Sequence, residues 1–159
     1  TGNGLSRAAS KKLWAAGVRH VDVSGAGGTS WVGVETLRAT GEGRRLGEAL
    51  WDWGVPTAAS VAATAATGVD PITAAGGIFP GADVARALAL GAHAAGIARP
   101  VLKALKAGGR AGAEAFLDGV EQELRAIMLL TGSATVAALR QAPRVVVGEL
   151  RDWLAPQAG

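Results

Sequence analysis

The feature that most constrains the fold is a repeated order of short apolar run, small-residue turn and helix. Strands are predicted at residues 18–24, 55–60, 71–75 and 93–98. Such apolar strands are typical of parallel sheets covered on both faces, and parallel neighbours need a crossover between them. The sequence therefore predicts an α/β fold, a (β/α)8 TIM barrel of which this chain, residues 1–159, supplies roughly the last four βα units. An open sheet is the alternative, and the placement of the glycines favours the barrel.

Capping residues divide the predicted strands from the predicted helices. Ser6 is a candidate N-cap for a helix that ends near Ala16, and Gly17 is its C-terminal stop. Further helices are predicted near residues 31–38, 46–53 and 61–66, from Gly81-Ala82-Asp83 to Gly91, and from Arg99 onward. Asp83 is interpreted as an N-cap rather than as a catalytic residue. The i, i+4 spacing of Phe116, Val120, Leu124 and Met128 predicts a buried stripe in the C-terminal region.

Composition excludes several classes of protein. The chain has 159 residues, a net charge of +3 and no cysteine, which rules out disulfides and thiolate-bound metals. His20 and His93 are far apart and have no partner at metal-ligand spacing, so a zinc site is not expected. The cations form no clustered face with interleaved aromatics, so we expect no nucleic-acid partner. No apolar run is long enough to span a membrane.

Two small-residue turns follow the third and fourth predicted strands. Gly76 and Gly77 can present backbone N–H groups without an obstructing Cβ, and Ala98-Arg99-Pro100 enters a helix whose N-terminus favours an anion. Loops after the last two strands of such barrels commonly hold a phosphate. We therefore predict that these two turns converge on one phosphate group, although each turn alone could simply reverse the chain.

Six segments carry a more specific pattern: Val21-Asp22-Val23-Ser24-Gly25-Ala26-Gly27-Gly28-Thr29-Ser30-Trp31, Trp53-Gly54-Val55-Pro56-Thr57-Ala58, Ala75-Gly76-Gly77-Ile78, Gly81-Ala82-Asp83, Ala87-Leu88-Ala89-Leu90-Gly91-Ala92 and Ala98-Arg99-Pro100. In order and spacing they resemble type 2 isopentenyl diphosphate isomerase, an FMN-dependent family. The first two are fairly specific to that family. The others also occur in flavin-dependent 2-hydroxy acid oxidases and inosine monophosphate dehydrogenase relatives.

The resemblance implies a cytoplasmic flavoprotein of isoprenoid biosynthesis that interconverts isopentenyl and dimethylallyl diphosphates. It implies reduced FMN with NADPH as reductant, Mg²⁺ with ligands outside this chain, a small-molecule diphosphate substrate and a homo-oligomer. The residues implied around FMN are Gly76, Gly77, Ala98 and Arg99 at the phosphate, Gly28 and Thr29 in a loop that meets the cofactor, and Trp31 near substrate or flavin. A cofactor contact from Thr57 or Ser60 is left open.

The chain also departs from the family pattern. Many relatives have a basic residue where this chain has Phe79, which leaves more of the phosphate binding to backbone amides. The lysine beneath the flavin, the glutamine and histidine of the substrate site and the metal-binding carboxylate belong to four preceding βα units. Thr1-Gly2-Asn3-Gly4 resembles the loop after the fourth strand, so the catalytic residues are unknown and the isolated chain is predicted to be inactive.

Two other functions stay open at this point. One is an FMN-dependent 2-hydroxy acid oxidase, although the histidine–arginine pair such enzymes need is not found in the late-strand region. The other is a non-catalytic half-barrel that self-associates, because half a barrel leaves unpaired strand edges.

Individual polar residues receive simpler interpretations. Asp22 either orients a cofactor-facing loop or, as the residues favour, is paired with a neighbouring strand or capped by backbone donors. Glu121, Glu123 and Arg125 are expected to form a solvated helix face, and both histidines are expected at the end of the sheet away from the chemistry.

Overall fold

The computed structural model describes residues 3–79 and 81–155, so Thr1 and Gly2 of the predicted loop lie outside the described residues. In chain order the elements are α1 (Arg7–Ala15), β1 (Val21–Asp22), α2 (Trp31–Arg38), α3 (Gly41–Ala49), α4 (Thr57–Ala65), β2 (Ile72–Ala75), α5 (Gly81–Ala89), β3 (Ala94–Gly96), α6 (Arg99–Leu130), α7 (Val136–Gln141) and α8 (Glu149–Leu154). None of the described helices is long and apolar enough to cross a membrane.

The three strands form one parallel sheet in the order β1-β2-β3. Val21 pairs with Ile72 and Thr73 pairs with Ala94, so the strand ends lie level with one another. Successive side chains of a strand point to opposite faces, and here one face is buried while the other is open. The α/β prediction with parallel βα units is therefore confirmed.

The buried face of the sheet packs against the helices. Val23, Ile72 and Ala74 are at most 1% exposed and join a core that includes Val61 of α4 and Leu88 of α5. The predicted stripe of α6 reaches this core through Val120, Leu124 and Met128, whereas its fourth member, Phe116, contacts Phe79. Helices thus cover the apolar side chains that the strands send to one face.

The predicted strand at residues 55–60 is wrong in its extent. Pro56 forms a single parallel bridge with Ala26, and α4 begins at the next residue, Thr57. Pro56 has no N–H to give to a ladder, and its carbonyl already accepts the first helical hydrogen bond from Ser60 N at 2.8 Å. The second unit therefore contributes one bridge, and its expected strand residues become a helix.

The remaining boundaries shift for local reasons. The first strand is two residues long rather than seven, because Val18 N bonds back to Leu13 O and Ser24 has a φ of +39°. The helix predicted at 46–53 lies at Gly41–Ala49, and the one predicted at 61–66 begins at Thr57. The strand predicted at 93–98 is shortened to Ala94–Gly96, and the predicted helix at 31–38 is correct.

Helix α6 contains a break that changes how its C-terminal part packs. Gly108 and Gly109 have non-helical backbone angles, and a helical segment lies on each side of them. The segment after the break brings Glu123 to the first residue of α5, where Gly81 N donates to its carboxylate at 2.6 Å. Glu121, Glu123 and Arg125 are all exposed, as predicted; Glu121 pairs with Arg125, and Glu123 in addition accepts the Gly81 N–H.

Candidate cofactor site

An open cavity of about 850 Å³ lies at the carboxyl ends of the three strands. It lies within the size range of small-molecule and cofactor sites. Its walls are the turns after β1 and β2 and the N-terminus of α6. The lining residues are Asp22, Ser24, Gly25, Gly27, Gly28, Thr29, Trp31, Ala75, Gly76, Gly77, Ile78, Phe79, Gly96, Ile97, Ala98, Arg99, Pro100 and Lys103. All seven residues singled out from the sequence for the cofactor or its neighbourhood are among them.

The turn after β2 needs glycine for two separate reasons. Gly76 and Gly77 have φ values of +100° and +78°, a region that residues with a side chain rarely adopt. A Cβ on Gly76 would collide with the Gly25 carbonyl, and one on Gly77 would collide with the Gly27 carbonyl. The two glycine-rich turns therefore touch backbone to backbone, which places their amide groups along one wall of the cavity.

Thr57 fixes the position of both turns from behind. Its hydroxyl donates to the Gly76 carbonyl at 2.5 Å, and its backbone N–H donates to the Ala26 carbonyl at 3.3 Å. Ser60, one turn later, is fully buried and bonds to both N and O of Leu5 at 2.7 and 2.9 Å. Neither side chain lines the cavity; Thr57 acts on it through the Gly76 carbonyl, whereas Ser60 holds Leu5, which lies outside the cavity wall.

The third wall is the start of α6. Ala98 occupies the N-cap position without a side-chain cap, Pro100 lies in the first turn, and that turn has no acidic residue. A helix N-terminus without a cap leaves N–H donors available, and its dipole favours an anion. Arg99 is exposed at this point and lines the cavity.

Lys103 was not among the residues expected from the sequence, and it lines the same cavity. It lies four residues after Arg99 on α6, so both side chains project from one face of the helix. The four-residue spacing was visible in the sequence. It predicts a second cation in the cavity only once the first residue of α6 is known. The cavity therefore has two cationic side chains at its α6 end.

Asp22 brings one carboxylate to the other side of the cavity. Its Oδ1 accepts the backbone N–H of Ser24 at 2.9 Å, as the preferred interpretation expected. Its side chain also lines the cavity from β1, so the alternative role toward a bound group stays a proposal. Positive and negative side chains thus lie at different ends of one space.

Two exposed aromatic side chains flank the opening. Trp31, the first residue of α2, and Phe79, after the β2 turn, are each 58% exposed. Phe79 is held edge-on by Phe116 of α6, with ring centroids 6.4 Å apart. Such rings offer flat apolar surface to a planar ligand.

Both histidines lie at the opposite end of the sheet, as predicted. His93 Nδ1 accepts the Ile72 N–H at 3.2 Å, so the proton is on Nε2, which lies 2.6 Å from Asp70 Oδ1. His20 Nε2 lies 3.4 Å from Thr73 Oγ1. These contacts join strand starts and indicate a structural role. Among the described residues, no group of three or more His, Asp or Glu side chains could hold a metal ion.

Comparison with curated proteins gives relatives that share most of this chain. It is 43% identical over 154 residues to isopentenyl-diphosphate delta-isomerase of Methanothermobacter thermautotrophicus and 44% identical over 155 residues to that of Pyrococcus furiosus. Each alignment covers 97% of this chain, but 43% and 39% of the relative. The chain thus spans about two fifths of the length of these relatives. The predicted resemblance to isopentenyl diphosphate isomerase is confirmed.

Solved structures with similar folds include mandelate oxidase, lactate oxidase and (S)-mandelate dehydrogenase. A mandelate oxidase structure with (S)-2-phenylpropionate superimposes with a TM-score of 0.70 and 28% identity, covering 89% of this chain and 37% of that one. A Pediococcus acidilactici lactate oxidase gives a TM-score of 0.69 at 24% identity, covering 89% of this chain and 34% of that one. The predicted fold class, a partial (β/α)8 barrel, is confirmed. The family model for FMN-dependent dehydrogenases matches residues 5–145. The chain therefore belongs to the FMN-dependent dehydrogenase family.

Proposed function

We propose that this chain is the cofactor-phosphate part of an FMN-dependent enzyme that isomerises isopentenyl diphosphate to dimethylallyl diphosphate. The observation that carries the proposal is the convergence of the β1 turn, the β2 turn and the α6 N-terminus on one cavity with two cations. The isomerase names of relatives at 43% and 44% identity supply the reaction.

The residues present fit FMN. A phosphate dianion needs several donors that cannot drift, and the backbone of Gly77 and the uncapped start of α6 meet that need. A planar flavin needs a flat apolar neighbour, which the exposed rings of Trp31 and Phe79 offer at the opening. The shape and chemistry of the cavity therefore match a ligand with a charged end and an aromatic end.

Within this proposal each named residue has a limited task. Gly76, Gly77, Ala98 and Arg99 hold the phosphate, Gly28 and Thr29 meet the cofactor from the β1 turn, and Trp31 borders the flavin or the substrate. Bound reduced FMN would supply a group able to give and take a proton. The chain's own contribution would be to hold that cofactor in a fixed position.

The remaining parts of the proposal concern the whole protein. We place this domain, residues 1–159, in a longer barrel that uses NADPH as reductant, binds Mg²⁺ through residues outside this chain, acts in the cytoplasm and forms a homo-oligomer. The isolated chain is proposed to bind FMN without turnover, because the acid, base and metal groups lie elsewhere.

A 2-hydroxy acid oxidase is the competing function, favoured by the mandelate and lactate oxidase structures. Their identities of 28% and 24% are well below the 43% and 44% shared with the isomerases. Sequence similarity over nearly the whole chain therefore favours the isomerase.

The test uses the complete protein that contains this chain, loaded with FMN, reduced by NADPH and supplied with Mg²⁺. Conversion of isopentenyl diphosphate is measured beside oxidation of lactate and glycolate. We expect isomerisation and no oxidation, and the reverse result would overturn the proposal. The variant Arg99→Gln is expected to weaken FMN binding roughly tenfold, the size of one hydrogen bond to a charged group. Arg110→Gln is the control, because Arg110 pairs with Glu114 beyond the helix break.

A further inference from the structure

We propose that Lys103 is a second cationic ligand of the anionic group bound at the start of α6, and that it supplies the charge that the β2 turn lacks. The inference rests on the proposed function, since the anion is taken to be the FMN phosphate. It adds a binding residue that neither the sequence motifs nor the family match assigns.

The position of Lys103 follows from helix geometry. It lies on α6 four residues after Arg99, on the same face, and both residues line the cavity. Side chains of a helix lean toward its N-terminus, so a long Lys103 side chain extends back over the first turn. Its ammonium group can therefore reach the space in front of the free N–H groups of α6.

The charge arrangement at this helix start is unfavourable when no anion is bound. Cations are disfavoured near a helix N-terminus, and like charges at i, i+4 repel each other. The first turn of α6 holds no acidic residue. Within residues 3–79 and 81–155, neither Arg99 nor Lys103 forms an ion pair. A bound dianion would relieve both repulsions, which is the pattern of a binding site rather than of a stabilising surface.

The neighbouring turn explains why the cation must come from α6. After Gly77 the chain continues with Ile78, which is 8% exposed and joins the core, and with Phe79, which contacts Phe116. This turn therefore offers backbone N–H groups but no charge. The acidic group of the cavity, Asp22, lies on β1 and disfavours an anion at that end.

The experiment measures the affinity of the chain for FMN, riboflavin and inorganic phosphate by calorimetry. Lys103→Gln is expected to weaken FMN and phosphate binding roughly tenfold and to leave riboflavin binding within about twofold, because only the phosphate meets the lysine. The thermal midpoint of the ligand-free variant should stay unchanged or rise, since a repulsion has been removed. A merely structural lysine would lower that midpoint and weaken all ligands alike.

Two further variants separate the outcomes. Lys106→Gln makes the same charge change on an exposed part of α6 that does not line the cavity, and it should leave all three affinities unchanged. Lys103→Arg keeps a cation at the same position and should retain most of the FMN affinity that Lys103→Gln loses. Equal FMN affinity in the parent chain and Lys103→Gln would overturn the role of Lys103 alone. If the parent chain binds neither FMN nor phosphate, the proposed cofactor site and the role of Lys103 are both rejected.

Discussion

The two faces of the small parallel sheet lie in very different environments. On one face, Val23 and Ile72 are at most 1% exposed beneath the helices. On the other, Asp22, Thr73 and Gly96 are small or polar and remain accessible. Consecutive residues of one strand therefore lie in opposite environments, one buried under the helices and the next accessible.

This difference teaches which residues stabilise the fold and which are free to serve the cavity. Burial of apolar side chains drives folding, and here that burial is confined to the helix side. The open face makes few apolar contacts, so packing constrains its residue types less, and polar side chains that serve the cavity can be placed there. Substitutions on the two faces should then have effects of very different size.

The largest expected effect comes from Ile72→Ala on the buried face of β2. Ile72 is 1% exposed, so truncation should leave a cavity and lower the free energy of unfolding by about 2 to 5 kcal/mol. Thr73→Ala, the next residue of the same strand, should change it by no more than about 0.5 kcal/mol. Urea unfolding of both variants measures the difference, and equal losses would show that the two faces are not distinct.

A smaller loss is expected from Gly77→Ala at the edge of the open face. Gly77 has a φ of +78°, and a side chain there costs about 1 to 3 kcal/mol in strain and also presses on Gly27. The two turns should separate, so FMN affinity should fall together with the unfolding free energy. Gly119→Ala in α6 is the matched control, since no atom lies near its added methyl and the helix should gain about 0.5 to 1 kcal/mol. A Gly77 variant as stable as the parent would contradict the close contact of the turns.

The smallest effect on stability is expected from Asp22→Asn on the open face. The amide oxygen can still accept the Ser24 N–H, so the free energy of unfolding should move by less than about 0.5 kcal/mol. Removal of the negative charge should raise affinity for inorganic phosphate slightly, because a repulsion within the cavity is lost. Calorimetric titration checks this, and a drop in affinity would mean that the carboxylate assists the anion.

Much of the local structure could be predicted because its causes are local. Ser6 and Ser30 cap α1 and α2 with their hydroxyls, bonding to Ala9 N at 3.2 Å and to Gly33 N at 3.0 Å. The paired glycines after β2 and the proline after Arg99 marked the two turns that meet at the cavity. That these turns share one space follows from parallel strands, whose carboxyl ends lie at one edge.

The features of the fold and of the cavity that could not be predicted depend on contacts between residues far apart in the chain. Residues 55–60 resembled a strand with a proline near its start, but α4 begins at Thr57, and Ser60 of that helix is buried against Leu5, a residue far away in the sequence. Glu123 is the exposed acid that the sequence predicted, but its hydrogen bond to Gly81 could not be predicted, because it depends on the break at Gly108 and Gly109. Local sequence patterns do not encode such long-range contacts. The place of Lys103 in the cavity wall could not be predicted either, because it depends on which face of α6 meets the cavity.

The Thr57 hydroxyl couples the glycine turns of the cavity to the hydrophobic core, so a substitution in the core can displace those turns. It donates to Gly76 from the first turn of α4, a helix whose Val61 lies in the core. Movement of α4 would displace the glycine turns with it, whereas the start of α6 has no such tie to them. In the proposed binding mode, cofactor affinity should accordingly depend on the integrity of the core through one wall of the cavity and on surface charge through the other, so the two contributions could be altered separately.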